Sequence, residues 1–255
     1  MKNAQSLDVA YVPRLMGMFA VFPSRFSNDV KPMKCGELEL RTFVPPDARF
    51  GSLVPRHLFI LFATKLKTEH DPDVDRENHV ITLRGTLKDL NSICHSPRGG
   101  RYFTIVVTAL KTLPDVRLQL RRGERLLLDT ALAENVTMTG RGSSRKVTVS
   151  FSESMWRVLE DSVPLNPNTL AELGKSPRLE DFYFWTRVKG LESADSFVLD
   201  YEDARLQFDY RKKIMKPMWS LLAGILERND EDVRLDVGVY QVRLSKVSAG
   251  EGGER

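Results

Sequence analysis

Cysteine is almost absent: Cys35 and Cys94 are the only two in 255 residues. That is too few for a disulfide framework, so the sequence predicts a reducing, cytoplasmic setting. Neither has zinc-ligand spacing. Cys94 and His95 are adjacent, too close to chelate well and without further ligands, and Cys94 reads as a small buried apolar side chain. The four histidines, His57, His70, His79 and His95, are scattered, with no His-apolar-His pair to hold the divalent ion of a rolling-circle nicking enzyme. No Gly-x-x-x-x-Gly-Lys-Ser/Thr loop and no Gly-x-Ser-x-Gly elbow occurs. Gly140-Arg141-Gly142 lacks the third glycine of a dinucleotide fingerprint and lies between strand patterns. Asp71, Asp73 and Asp75 alternate as in a calcium loop. Arg76, however, stands where that loop needs glycine, and Thr82 where it needs a bidentate Glu. A solvated acidic loop is the expectation there. Long apolar runs are missing too: Leu15 to Phe22 falls far short of the roughly 20 residues that span a bilayer. The sequence thus predicts no enzyme, no metal, no cofactor and no membrane partner.

What is present is a helix-turn-helix pattern. From Thr86, a good N-cap, a short helix would bury Leu87, Leu90 and Ile93 before Pro97 and Gly99-Gly100 stop it. In the next helix Phe103, Val106, Val107 and Leu110 share one face, while Arg101, Thr104, Thr108 and Lys111 share the other. A second helix of this kind fits the major groove, where its N-terminal side chains meet base edges. Arg98, Arg101 and Tyr102 stand at that position.

After Leu113 the period changes to that of strands. Val116, Leu118 and Leu120 lead to a basic turn at Arg121 to Arg125. Val136 and Met138 pair with the Val147 to Phe151 run across a basic tip holding Arg141, Arg145 and Lys146. With an opening helix over 55–67, the order of three helices and then hairpins predicts a winged helix. The second half repeats the order: helices 177–191, 200–208 and 210–227, then strands 233–237 and 239–244. In its third helix Ile214, Met218, Leu221, Leu222 and Ile225 read as the apolar stripe, with Lys212, Lys213, Lys216 and Ser220 away from it. The expected fold is therefore α+β, two tandem winged-helix domains of three helices plus a β-hairpin wing each. The expected parts are an N-terminal arm over 1–39, domains over 40–150 and 151–247, and a disordered tail over 248–255. A linking helix is expected at 151–160. The length suits two separate cores. The apolar arm is expected to pack on the first domain, with docking to a helicase, a loader or another copy as alternatives.

Charge supports a polyanionic partner once it is counted locally. The whole chain carries 38 Lys+Arg against 34 Asp+Glu, a net of +4. From Arg84 to Arg125 the cations are Arg84, Lys88, Arg98, Arg101, Lys111, Arg117, Arg121, Arg122 and Arg125, against only Asp89, Asp115 and Glu124. In the second half Arg205, Arg211, Lys212, Lys213 and Lys216 cluster with Asp209 among them. The candidate DNA contacts are accordingly Arg98, Arg101, Tyr102, Thr104, Thr108 and Lys111 on the first reading helix and Arg121, Arg122, Arg141, Arg145 and Lys146 on the hairpins. Those of the second half are Arg205, Arg211, Lys212, Lys213 and Lys216.

Several segments resemble the plasmid replication initiators of the RepA type, as a set in this order. They are Phe43-Val44-Pro45-Pro46, Phe50 to Arg56 followed by an apolar helix ending Ala63-Thr64, Leu87 to Gly100, Val163-Pro164-Leu165-Asn166, and Ser176-Pro177 through Trp185. The likeness runs from Leu40 to Val247. The chain departs from the pattern in the inserted Val54, the acidic run Glu69 to Glu77, and Asp209 where the family would place glycine. The resemblance implies binding to double-stranded origin repeats (iterons), distortion of an adjacent A/T-rich segment, recruitment of host helicase or its loader, and exchange between dimers and DNA-binding monomers. A winged-helix transcriptional repressor and a winged-helix scaffold that binds no DNA are the alternatives.

Overall fold

The computed structural model describes residues 9–22, 32–45, 53–84, 100–140, 144–173, 176–192, 196–229 and 231–247. The chain is mixed α/β, with eight helices among the described residues and four small antiparallel sheets. The segment 85–99, where the first helix of the helix-turn-helix is expected, lies outside the described residues, as does the tail at 248–255.

Helix α2 (Leu53–Lys67) shows why the molecule is built as it is. Its run of Leu, Phe, Ile and Ala is apolar on every side, and such a helix must be covered all round. Pro55 sits in the first turn, where its missing N–H is harmless. From Val54 to Thr64 every residue is buried, Arg56 and His57 included. Aromatic edges lead outward from it: Phe22 to Phe59 (5.4 Å between ring centroids), Phe59 to Phe62 (5.7 Å) and Phe62 to Phe151 (5.3 Å).

Strands β2 (Met33–Cys35), β3 (Leu38–Phe43), β6 (Arg117–Arg122) and β7 (Arg125–Ala131) form one sheet in the order β2-β3-β6-β7. Strands β4 (Val74–Asp75), β5 (Val80–Arg84), β8 (Asn135–Thr139) and β9 (Lys146–Ser150) form another in the order β4-β5-β9-β8. Helix α3 (Gly100–Thr112) precedes the β6–β7 hairpin. The expectation that both basic hairpins belong to one wing is therefore corrected. Only β8–β9 pairs with the strand that follows α2; β6–β7 pairs with β3, which precedes it.

The acidic run is solvated only in part: Glu69, Asp75 and Glu77 are exposed, but Asp71 and Asp73 are ion-paired. Lys65 reaches Asp71 at 3.1 Å and Asp73 at 3.5 Å, and Arg84 meets Asp73 at 2.6 Å. The carboxylates tie the end of α2 to the β4–β5 hairpin.

In the second half α4 (Glu153–Glu160) starts on Ser152, whose hydroxyl accepts from the Met155 N–H, and it buries Met155, Trp156 and Leu159 as expected. Strand β10 (Ser162–Leu165) and the short α5 (Pro167–Glu172) lead into α6 (Pro177–Glu192). Then come β11 (Ser196–Asp200), α7 (Tyr201–Phe208), α8 (Lys212–Arg228), β12 (Val233–Val237) and β13 (Gln241–Lys246), with sheet order β11-β13-β12. This repeats the β5-β9-β8 order of the first half, where the strand after the first helix also pairs with the last strand of the hairpin. Between α7 and α8 stands Asp209, at φ 53° and ψ 36°, its N–H bonded to Arg205 O. Left-handed backbone closes the helix there, which is why the resembling family would place glycine at this point; aspartate is among the few other residues that tolerate it.

The two halves do not keep separate cores: their buried apolar side chains form one continuous cluster. The N-terminal segment bridges them, and so does more than cover the first half. Strand β1 (Ala10–Pro13) pairs with β10, and the Tyr11 N–H donates to Thr64 Oγ1 of α2 at 2.9 Å. Helix α1 (Arg14–Met18) then lies across α6. Gly17 is the crossing point, where an added Cβ would stand 2.4 Å from Val188 Cγ2 and 2.7 Å from Phe184 O. Backbone cannot yield as a side-chain end can. Gly17→Ala is therefore expected to cost about 1–3 kcal/mol, read as a lower urea midpoint; an unchanged midpoint would show that the crossing is loose.

Candidate nucleic-acid interface

Helix α3 buries Val106 and Leu110 as its spacing predicts, but Ala109 and not Phe103 or Val107 completes the buried face. Val106, Ala109 and Leu110 are buried, Thr104 and Lys111 are exposed, and Tyr102, Phe103, Val107 and Thr108 are half-buried. Ile105 joins the exposed face. The Arg145 guanidinium lies 4.4 Å from the Phe103 ring centroid, a cation–π contact that holds the tip of the β8–β9 hairpin against α3. Lys146 beside it is exposed. Thus α3, with Thr104, Thr108 and Lys111, meets the tip end of the β8–β9 hairpin, with Arg145 and Lys146. Arg121, half-buried, and Arg122, exposed, belong to the other sheet, at the Gly123 turn. Arg98, Arg141 and the side chain of Arg101 lie outside the described residues.

On α8 the apolar stripe is turned by about one residue from the expected one. Met215, Trp219, Leu222, Ile225 and Leu226 are buried, whereas Leu221 is 51% exposed. The cause is Trp219, which stacks flat on Phe182 of α6 with centroids 4.0 Å apart and planes 5° from parallel. Burying an indole outweighs burying one leucine. The exposed face then presents Lys212, Lys213, Lys216, Pro217 and Ser220. The helix begins at Lys212 because Tyr210 is drawn inward, its hydroxyl donating to Asp181.

The cations of this second surface are not equivalent. Glu202, on the first turn of α7, takes Arg205 Nε at 3.0 Å and Lys212 Nζ at 2.9 Å. Lys212 and Arg205 together hold its carboxyl below the usual carboxylate range. No ion pair involves Arg211, Lys213 or Lys216 among the described residues. Between α8 and the β12–β13 hairpin runs an open cavity of about 540 Å³ lined by Ser220, Asp236, Gln241 and Arg243, among others. The hairpin tip carries no cation: Val239 and Tyr240 stand there, 63% and 70% exposed. Val239, expected within a strand, stands in the turn instead, and β13 begins at Gln241.

Behind both surfaces lies a buried polar junction between α2 and α6. Arg56 grips Asp181 with two prongs, Nε–Oδ1 at 2.9 Å and Nη2–Oδ2 at 2.6 Å, and His57 Nε2 meets Glu180 Oε1 at 2.8 Å. Burial opposes the Arg56 charge, but the pull of Asp181, Tyr210 and Glu180 prevails and holds the guanidinium above its ordinary value. Burial, with Asp181 alongside, pushes the Tyr210 phenol well up, so it stays a donor. The pattern of the sequence does not announce this junction: Arg56 closes the segment that opens a helix, and His57 is one of four scattered histidines.

Among the described residues no group of His, Cys, Asp and Glu could hold a metal ion, and no helix is long and apolar enough to cross a membrane. No family model matches the sequence, and no curated protein is similar to it in sequence. The fold is shared with two crystal structures of domains 2 and 3 of RctB. A selenomethionine derivative aligns with a TM-score of 0.55 at 12% identity, over 92% of this chain and 99% of that one. The second aligns with a TM-score of 0.52 at 10% identity, over 92% and 97%. At such identities the likeness is one of fold alone, and it does not single out the RepA type.

Proposed function

We propose that this chain is a sequence-specific double-stranded DNA-binding protein that initiates replication by binding repeated sites at an origin, and that it works by binding and not by catalysis. The observation that carries the reading is the repeat of one arrangement in both halves: a first helix, a strand, an exposed cation-bearing helix, then a hairpin whose last strand returns to the first strand. We read each as a winged helix, over 40–150 and 151–247, with the arm at 1–39 as a brace. The RctB fold supports the initiator class, since RctB is itself a replication initiator. The proposed roles are those the helix-turn-helix and hairpin pattern of the sequence assigns. Arg98, Arg101, Thr104 and Thr108 read bases in one major groove, while Lys111, Arg121, Arg122, Arg141, Arg145 and Lys146 meet phosphates; Tyr102, expected among the base readers, packs against the core with its hydroxyl buried and is not one of them. Arg211, Lys213 and Lys216 face the duplex from the second half. Plasmid origin repeats, host helicase or its loader, and a second copy of the chain are the partners this reading assigns.

The test is selection of binding sites from a random duplex library, followed by titration across a salt series. Arg101→Ala is expected to cost about 1–3 kcal/mol and to relax preference at one base position. Lys146→Ala is expected to weaken all duplexes alike and to lower the salt slope by about one unit. Equal losses on selected and random duplex from both variants would reverse the roles. A chain that binds its repeats but does not support replication of a plasmid carrying them would be a repressor.

A further inference from the structure

The first turn of α7 already favours an acid, because the helix N-terminus is the positive end of its dipole. That accounts for an acid near residue 202 but not for where the Glu202 carboxylate goes. It bridges two helices, with one oxygen on Arg205 a turn away and the other on Lys212 at the start of α8. Side-chain exposures of Glu202, Arg205 and Lys212 are 56%, 51% and 49%, so water reaches all three and the fold does not depend on the contact. Beside this trio stand Arg211, Lys213 and Lys216. The surface has five cations, two of them held by an anion of the same chain.

We propose that Glu202 is a specificity-determining residue of the second DNA-facing surface, neutralising Arg205 and Lys212 so that they do not bind phosphate in registers other than the recognised one. The inference rests on the DNA-binding reading above. Binding to arbitrary sequence is made almost wholly of phosphate contacts, whereas a recognised site adds base contacts that fix the register. In the recognised register Arg211, Lys213 and Lys216 carry the phosphate contacts. In any other register every extra free cation is a further foothold. A carboxylate tethered between two of the five removes those footholds and leaves the three others untouched.

The test measures two duplexes, one carrying the repeat selected from a random library and one of random sequence, against wild type and Glu202→Gln over a salt series. Glu202→Gln is expected to bind random duplex about tenfold tighter, with a salt slope steeper by about one to two units. Affinity for the selected repeat is expected to change less than about threefold, so the specificity ratio falls by roughly the gain on random DNA. Adding Arg205→Met and Lys212→Met to Glu202→Gln is expected to return random-duplex binding to the wild-type level. A wild-type chain that binds neither duplex overturns the DNA-binding reading and this inference with it. A wild-type chain that binds, with Glu202→Gln unchanged on random DNA or gaining equally on both duplexes, overturns the role of Glu202 alone.

Discussion

Asp181→Ala is expected to lower the stability of the chain by about 3–5 kcal/mol. Arg56, whose side chain has no exposed surface, would lose the carboxylate it grips at 2.9 and 2.6 Å, and a guanidinium cannot shed its proton to escape the cost. Tyr210 would lose its acceptor in the same step. The readout is urea unfolding, with the midpoint falling and the slope unchanged. Replacing both ends together, Arg56→Met with Asp181→Leu, is expected to restore most of the loss, because two apolar side chains of similar volume need no partner. A single variant as stable as wild type would mean that water reaches the junction; a double variant no better than the single would mean that packing, not charge, is lost.

Lys213→Glu combined with Lys216→Glu is expected to weaken duplex binding about 10³-fold near 0.15 M salt. On the counterion-release slope each phosphate contact contributes about 1 kcal/mol at that salt, and reversing a charge replaces attraction with comparable repulsion. Both side chains are exposed on α8, so folding should be unaffected and the thermal midpoint should stay within a degree or two of wild type. A loss below about threefold would exclude α8 from the interface and leave α3 as the reading element.

Where spacing decides structure, the residues could be read directly. The linking helix after Phe151 and the three longer helices and final hairpin of the second half follow from periods of 3.6 and 2, whereas β10, the short α5 and strand β11 do not. Where the deciding partner is far off in sequence, they could not. Arg56 looks like a surface cation until Asp181, 125 residues on, folds against it. The α8 stripe seemed to include Leu221 because Ile214, Met218 and Leu221 are well spaced; stacking between Trp219 and Phe182 turned the helix. The hairpin at Arg121 and Arg122 was grouped with the one at Arg145 and Lys146 because both are basic and consecutive, but its pairing strand, β3, precedes α2. The candidate interface was thus legible as a set of cations and not as a division of labour. Neither the bridge that Glu202 makes between two of them nor the exposure of Tyr240 at the β12–β13 tip can be read from charge counts.

The bidentate grip of α2 on α6, set in one uninterrupted interior and braced by the paired N-terminal strand, makes the chain a gauge of fixed length. On the proposed function, α3 and α8 meet the duplex at a set separation and angular offset. Half-sites moved apart by five base pairs present their second groove on the far side of the helix, where a jointless protein does not follow; ten or so bring it round again.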